Sequence, residues 1–292
     1  MYIKLVYFLF LLLVYKLSFA TTFVVPADGD VVGEIQYAYA QTGESIGEVG
    51  LRYDVGYNEM VRANPNVNPA MALPPHARLL IPSQYILPNV ARAGIVINLA
   101  EYRLYYFPPN DNVVITQPVG IGRKGWNTPV GITRVIAKQR DPVWRPSAKL
   151  RAEAEKNGLL LPEVFPANSG NPLGRHSLRL GWPTYLIHGT NKTDGVGMRV
   201  SAGCIRMLPE DIEYLYELVK VGTAVRVINQ PLKLGKLDGE IYLEAHAKLI
   251  NDSSLSGLAQ KQLSALQQAH LNKMAIKQEL NFPSGIPKKI SS

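Results

Sequence analysis

From Gly94 onward the chain places apolar side chains at every second position. Ile95, Ile97 and Leu99 alternate with Val96, Asn98 and Ala100. That period belongs to a pleated strand, whose successive side chains face opposite sides. Tyr102 to Phe107 repeats the pattern after a turn, which predicts a hairpin, and Val113 to Val119 predicts a third strand. Gly131 to Lys138, Tyr185 to Ile187 and Val225 to Val227 read as further strands. Glycines at 120, 122, 125 and 131 punctuate the loops, but no Gly-Lys-Ser/Thr follows them, which excludes a phosphate-binding P-loop. One helix is legible. Pro209 takes the first helical position, Glu210 and Asp211 the first turn, and Ile212, Leu215, Tyr216 and Val219 form one apolar face. Residues 94–230 therefore read as one mostly β domain.

Two flanking segments have a different texture. Between 37 and 83, Ser45-Ile46-Gly47-Glu48 has the form of a capping box and predicts a helix start. Asp54-Val55-Gly56 breaks that helix, a second runs from about Asn58 to Ala63, and Leu79 to Pro82 closes the unit with a strand. The result is a small α+β unit of β-α-α-β order. Residues 231–292 are expected to form a C-terminal tail, partly helical or mobile, with one loose amphipathic helix from about Leu255 to Leu280.

The first twenty residues read as a signal peptide. Lys4 supplies the positive start, Leu5 to Tyr15 the apolar run, and Ser18-Phe19-Ala20 the small residues before a cut at Thr21. Lys16 interrupts the run, which is too short to span a bilayer comfortably. The expected location is the periplasm. A content of 47% hydrophobic and 18% charged residues is that of a globular protein. The formal charge of +8 falls to +6 when Lys4 and Lys16 leave with the leader, which suits a polyanionic partner. No Lys/Arg run points to nucleic acid. His76, His176, His246 and His270 have no second ligand at metal spacing and read as surface or packing residues, so neither metal nor organic cofactor is expected.

The chemistry concentrates in Ile187-His188-Gly189-Thr190 and Arg199-Val200-Ser201-Ala202-Gly203-Cys204-Ile205-Arg206. Cys204 is the only cysteine, so no internal disulfide can protect it in an oxidising compartment. A thiol reacts as the thiolate, and an imidazole held beside it can take its proton and return it to a leaving amine. The Gly-rich segment between His188 and Cys204 allows a strand, a loop and a return that bring the two together. Gly203 permits a tight turn whose amides can face a developing oxyanion. Arg206 and the helix start at Pro209 are expected to favour negative charge on sulfur.

The segment from His188 to Arg206 resembles the signature of the YkuD-type L,D-transpeptidases, a histidine followed by Ser-x-Gly-Cys-x-Arg. The segment 37–83 resembles a LysM module, through Thr42-Gly43-Glu44-Ser45, Asn64-Pro65 and Ala77-Arg78-Leu79-Leu80-Ile81-Pro82. That order of modules is similar to the ErfK/YbiS/YcfS group of periplasmic enzymes. The resemblance implies a cysteine that attacks the bond between meso-diaminopimelate and the terminal D-Ala of a peptidoglycan tetrapeptide stem. A thioester forms and passes to an amine, either another diaminopimelate or the lysine of an outer-membrane lipoprotein. It also implies that Cys204 is the nucleophile, His188 the base, and the Gly189 carbonyl the group that orients His188. Backbone at Gly203 and Cys204 would form the oxyanion hole, and Ser201 and Arg206 would contact substrate. Ala202 stands where many members carry a second histidine.

The LysM-like module would bind wall glycan and act as a tether separable from catalysis. Residues 139–180, rich in proline, are expected to leave the sheet as a lid over the site, with Trp144 as its apolar wall. The alternatives are an L,D-carboxypeptidase, which passes the thioester to water, and a non-catalytic wall-binding protein.

Overall fold

The computed structural model describes residues 21–249, 254–264, 266 and 270–291; the expected signal peptide lies outside them. Three units follow one another. The first holds β1 (Thr21–Val24), β2 (Val31–Gly33), β3 (Gln36–Tyr39), α1 (Ile46–Leu51), α2 (Tyr57–Ala63), β4 (Arg78–Ile81) and β5 (Gln84–Ile86). The second holds β6 (Gly94–Asn98), β7 (Arg103–Phe107), β8 (Val113–Pro118), β9 (Ile121–Gly122), β10 (Gly131–Arg140), α3 (Ala148–Lys156), β11 (His176–Leu180), β12 (Leu186–His188), β13 (Arg199–Ser201), β14 (Ile205–Arg206), α4 (Pro209–Leu218) and β15 (Ala224–Ile228). The third holds β16 (Leu232–Leu237), β17 (Glu240–Ala245), α5 (Leu255–Leu263), α6 (Lys273–Asn281) and β18 (Lys288–Lys289).

The main sheet has nine strands in the order β1-β8-β7-β6-β15-β10-β11-β12-β14. Its alternation sorts residues between two cores, not between core and water. Ile95, Ile97, Leu104, Tyr106 and Ile115 face a core closed by Ile212 and Leu215 of α4 and by Val219 just after it. Val96, Tyr105, Phe107 and Val114 face a second core completed by Val25, Val32, Tyr85 and Leu87 of the N-terminal unit. Strands buried on both faces lose the clean apolar–polar rhythm, which is why the pattern is legible in β6 and faint elsewhere.

Residues 139–180 are less irregular than expected. β10 runs on to Arg140, and His176–Leu180 pairs with it as β11, with Gln139 opposite Ser177. The short, Ser- and Arg-containing stretch becomes a strand because β10 and β12 flank it.

In the small unit, the Ser45 hydroxyl accepts the Glu48 N–H at 3.2 Å, and the Glu48 carboxylate accepts the Ser45 N–H at 2.8 Å. That reciprocal pair starts α1. The Asn64 side chain accepts the Leu80 N–H at 2.8 Å and donates to the Leu80 carbonyl at 2.9 Å. It thus serves as a strand partner for β4. β3 and β4 pair antiparallel, and Ile46, Val49, Met60, Leu79 and Ile81 share a core between helices and hairpin.

This unit is not a loose tether. The Arg103 side chain of β7 is fully buried and forks onto Glu59 of α2, Nε to Oε1 at 2.8 Å and Nη2 to Oε2 at 3.0 Å. Nη2 also donates to the Asp54 carbonyl at 2.9 Å.

The C-terminal segment is likewise not a tail. β16 and β17 form a hairpin around Asp238 and Gly239, both at positive φ, and β18 pairs with β17. An Asp-Gly pair between alternating apolar residues is a strong hairpin signal, so this element was open to sequence reading. The expected single helix is two helices, α5 and α6, packed with the hairpin around Leu232, Leu243, Ala259 and Ile276. Lys233 Nζ contacts Glu101 at 2.9 Å, Glu244 at 2.8 Å and the Ile86 carbonyl at 2.5 Å, which joins all three units. His246 donates Nε2–H to Glu244 at 2.6 Å, and burial holds its pKa down at about 3. Glu101, Glu244 and His246 lie close enough to ligate a metal, but the Lys233 ammonium contacts both carboxylates and supplies the cation they need.

Candidate active site

β12 and β14 lie side by side in parallel, with Ile187 opposite Ile205 and His188 opposite Arg206. Ile187 and Ile205 point into the core beneath α4. His188 and Arg206 therefore point to the other face; Cys204 lies in the bend just before β14, its thiol against the backbone of Thr184 and Leu186. Sixteen residues of separation in sequence thus end at one pair of strands, His188 at the end of β12 and Cys204 just before β14.

His188 is 5% exposed, and its Nδ1 lies 2.6 Å from the Gly189 carbonyl. A carbonyl only accepts, so Nδ1 carries the proton and Nε2 keeps its lone pair. Burial pushes the pKa down to about 4, and the nearby Arg206 charge adds to the shift while the Gly189 bond opposes it. The ring is thus neutral at physiological pH.

Cys204 is half-buried, and its thiol donates to the Thr184 carbonyl at 3.6 Å. Burial pushes the thiol pKa up, opposed by a backbone hydrogen bond from Leu186. The expected lowering by Arg206 and the start of α4 is not found. Both groups are thus neutral at rest, the thiol and the imidazole alike.

The turn before Cys204 corrects two expectations. The Gly203 N–H donates to Ser201 Oγ at 3.1 Å, and the Ser201 hydroxyl donates to the Cys204 carbonyl at 2.5 Å. Ser201, itself buried, clasps the turn and does not face substrate. The Gly203 amide is spent inside the turn, which leaves the Cys204 N–H as the candidate oxyanion donor. Gly203 serves through its φ of +106° and its contact with the Tyr185 ring, where a Cβ would sit 2.9 Å from the ring edge. Thr128 closes the turn from below, donating to the Gly203 carbonyl at 2.8 Å.

Arg206 has a buried Nε without a hydrogen-bond partner among the described residues, and burial lowers its pKa. A desolvated cation opposite His188 on the paired strand is suited to an incoming carboxylate.

Trp144 was expected as the apolar wall of the lid. It pairs with Phe165 through two backbone hydrogen bonds, of 3.0 and 2.8 Å, and their rings lie 5.0 Å apart, which closes the neck of the excursion. The indole nearer the site is Trp126. Its Nε1 donates to Glu153 of α3 at 2.6 Å, and Arg123 Nη2 donates to the same carboxylate at 2.6 Å. The Arg123 N–H in turn bonds the Ser201 carbonyl at 2.9 Å. The excursion is therefore latched beside the nucleophile turn by Arg123, Trp126 and Glu153. Sequence reading missed all three, because nothing local marks a carboxylate on an exposed helix as a latch.

A cleft of about 490 Å³ separates the small unit from the loop that joins His188 to Cys204; Ser45, Glu48, Tyr57 and Pro69 line one side, Asp194 and Met198 the other.

The domain is mostly β, with His188 on β12 and Cys204 just before β14 at the end of its nine-stranded sheet. The family model for the YkuD L,D-transpeptidase catalytic domain matches residues 92–227. The chain is 42% identical to the probable L,D-transpeptidase YcfS of Escherichia coli, over 77% of this chain and 72% of that one. It is 43% identical to the probable L,D-transpeptidase YbiS of the same organism, over 79% and 76%. A solved L,D-transpeptidase from Mycobacterium tuberculosis is similar at 20% identity with a TM-score of 0.35, over 55% of this chain and 69% of that one. The chain belongs to the L,D-transpeptidase family.

Proposed function

We propose that the protein is a periplasmic, cysteine-dependent L,D-transpeptidase that acts on peptidoglycan stem peptides. The observation that supports this reading is that His188 ends β12, Cys204 immediately precedes its paired strand β14, and Nε2 of His188 is left as the basic nitrogen. Cys204 Sγ attacks the diaminopimelate carbonyl while its proton passes to His188 Nε2. The C–N bond breaks, D-Ala leaves with that proton, and a thioester remains. An acceptor amine then attacks the thioester, His188 takes the amine proton, and sulfur regains it. The Cys204 N–H meets the oxyanion, and Arg206 holds a stem carboxylate. The leader delivers the chain to the periplasm, and the LysM-like unit binds glycan, with the cleft beside α1 as its site. The acceptor is a second diaminopimelate or a lipoprotein lysine; water as acceptor would make the enzyme a carboxypeptidase.

The test is incubation with a disaccharide-tetrapeptide and mass spectrometry of the products. A 3–3 cross-linked dimer with D-Ala released is the expected result. Tripeptide alone would assign the carboxypeptidase reading, and no acyl-enzyme at all would remove both.

The acid limb of the rate follows from His188. Only the neutral ring accepts a proton, and it stays neutral down to about pH 4. The acid limb of kcat/KM is therefore expected below about pH 5, not near the ~6.5 of a free imidazole. A limb centred at 6 or above would show that another group is the base.

The latch on α3 gives a further expectation. Glu153→Ala frees Trp126 and Arg123 and loosens the cover beside the thioester. Hydrolysis should rise relative to transfer by about 3-fold or more, since water exclusion protects a reactive intermediate. Both products falling in step, with the ratio constant, would remove the lid role.

A further inference from the structure

The loop that joins His188 to Cys204 is gripped from two sides. On one side lies the first turn of α2. The Asn58 side chain donates to the Gly197 carbonyl at 2.7 Å, and the Asn58 N–H reaches the same oxygen at 3.4 Å. The Tyr57 N–H reaches the Val196 carbonyl at 3.5 Å. The backbones touch: a Cβ added to Gly197 would lie 2.5 Å from Gly56 Cα and 2.4 Å from the Tyr57 nitrogen. Gly197 has a φ of +78°, so the position resists a side chain on both counts. On the other side lies Arg206. A Cβ added to Gly195 would lie 2.7 Å from Arg206 Nη1 and 2.9 Å from Val200 Cγ2.

The grip is anchored from behind. Glu59, in the same turn of α2, accepts the Gly56 N–H at 2.8 Å and holds the buried Arg103 fork from β7. The first turn of α2 is thus fixed to the catalytic sheet and presents its N–H groups and the Asn58 amide to the loop carbonyls. A continuous set of contacts runs from Asn58 through Gly197 and Gly195 to Arg206, which lies opposite His188 on the paired strand.

We propose that Asn58 is a positioning residue for the transfer reaction: with Gly56 and Tyr57 it sets the His188–Cys204 loop and, through Gly195, the guanidinium of Arg206. The small N-terminal unit is then part of the active-site scaffold and acts on turnover of soluble stem peptides, not only on wall affinity. This rests on the reading of Cys204 as nucleophile and Arg206 as carboxylate site.

The test uses Asn58→Asp in the full-length mature protein. The substitution keeps the shape but turns the donor towards Gly197 into an acceptor. Two reactions are followed by mass spectrometry: acylation of Cys204 by a soluble stem tetrapeptide, and alkylation of Cys204 by iodoacetamide, a small neutral reagent that does not need Arg206. Acylation should fall about 10-fold or more, in keeping with a lost hydrogen bond replaced by a repulsive contact. Alkylation should stay within about 2-fold. The variant-to-wild-type ratio of acylation rates should recover as pH falls from about 6 towards 4, through the ordinary carboxyl range near ~4, because the introduced carboxyl, once protonated, can donate again; a general loss of stability gives no such recovery. Asn58→Ala removes the donor without adding charge, should act in the same direction, and is the variant to read if Asn58→Asp does not fold. Unchanged acylation in a folded variant, with wild type acylated normally, overturns the positioning role alone. Loss of acylation and alkylation together, with no recovery at low pH, also overturns it. Failure of the wild type itself to acylate at Cys204 overturns the reading of the site and this proposal with it.

Discussion

Replacing Cys204 by alanine is expected to remove acyl transfer altogether, a loss on the order of 10⁴-fold or more. It is the only cysteine in the chain, and no other thiol can substitute for it. The thiol is half-buried, and its hydrogen bonds go only to backbone, a long one to the Thr184 carbonyl at 3.6 Å and one from Leu186. Truncation therefore deletes little packing, about 1 kcal/mol or less. The clasp of the turn survives because Ser201 bonds the backbone of residue 204 and not its side chain. The variant should melt within a few degrees of wild type and bind isolated peptidoglycan as before. The measurement is product formation from stem tetrapeptide together with the mass of the acylated protein. Residual cross-linking above background would assign the nucleophile elsewhere, and a wild type no more active than the variant would leave the non-catalytic wall-binding alternative standing.

Glu59→Ala should have the largest effect on stability. Arg103 is fully buried, with Glu59 as its only carboxylate partner among the described residues and Tyr85 beneath its guanidinium at 4.3 Å. Its remaining bonds, to the Asp54 carbonyl and to Thr116, do not neutralise the charge. Removing one member of a buried ion pair strands the other and costs about 3–5 kcal/mol. In a domain of this size that corresponds to a fall in Tm of roughly 10 °C. The double variant Glu59→Leu with Arg103→Met should recover much of the loss, because no charge is then left in the interface. A shift of less than about 2 °C for Glu59→Ala alone, read by thermal denaturation, would mean that water or local rearrangement satisfies Arg103 and that the two units are joined more loosely than the contacts indicate.

The two variants separate what the chain states locally from what it states only when folded. The signals that read correctly are those that act within a few residues. The capping box at Ser45 started α1, Pro209 with its acidic neighbours started α4, and the alternation from Gly94 gave the β6–β7 hairpin. The Asp238-Gly239 hairpin belongs with them, since its turn chemistry is equally local, and the expectation of a tail passed over it. The family was legible as well, because His188, the spacing to Cys204 and the Ser-x-Gly-Cys-x-Arg pattern agreed at one place.

What the sequence did not disclose depends on groups far apart in it. Ser201 and Gly203 were assigned outward roles, yet their hydrogen-bonding atoms are engaged within the turn. Trp144 was the conspicuous aromatic of the excursion, yet Phe165 occupies its ring and Trp126 stands nearer the nucleophile turn. The thiol was expected to be acidic from its neighbours in sequence, yet burial outweighs them. The two flanking segments looked like a tether and a tail because their buried charges have partners 44 residues away, for Arg103 and Glu59, or in other units, for Lys233. An unpaired ion in an interior is so costly that such residues fix how units are joined. By itself the sequence determined the local elements and the family, because helix caps, turns and strand periods are short-range and the signature lies within one short segment. Only the tertiary structure decided the protonation states, the spent amide of Gly203 and the union of three units, because desolvation and ion pairing depend on what the rest of the chain brings near.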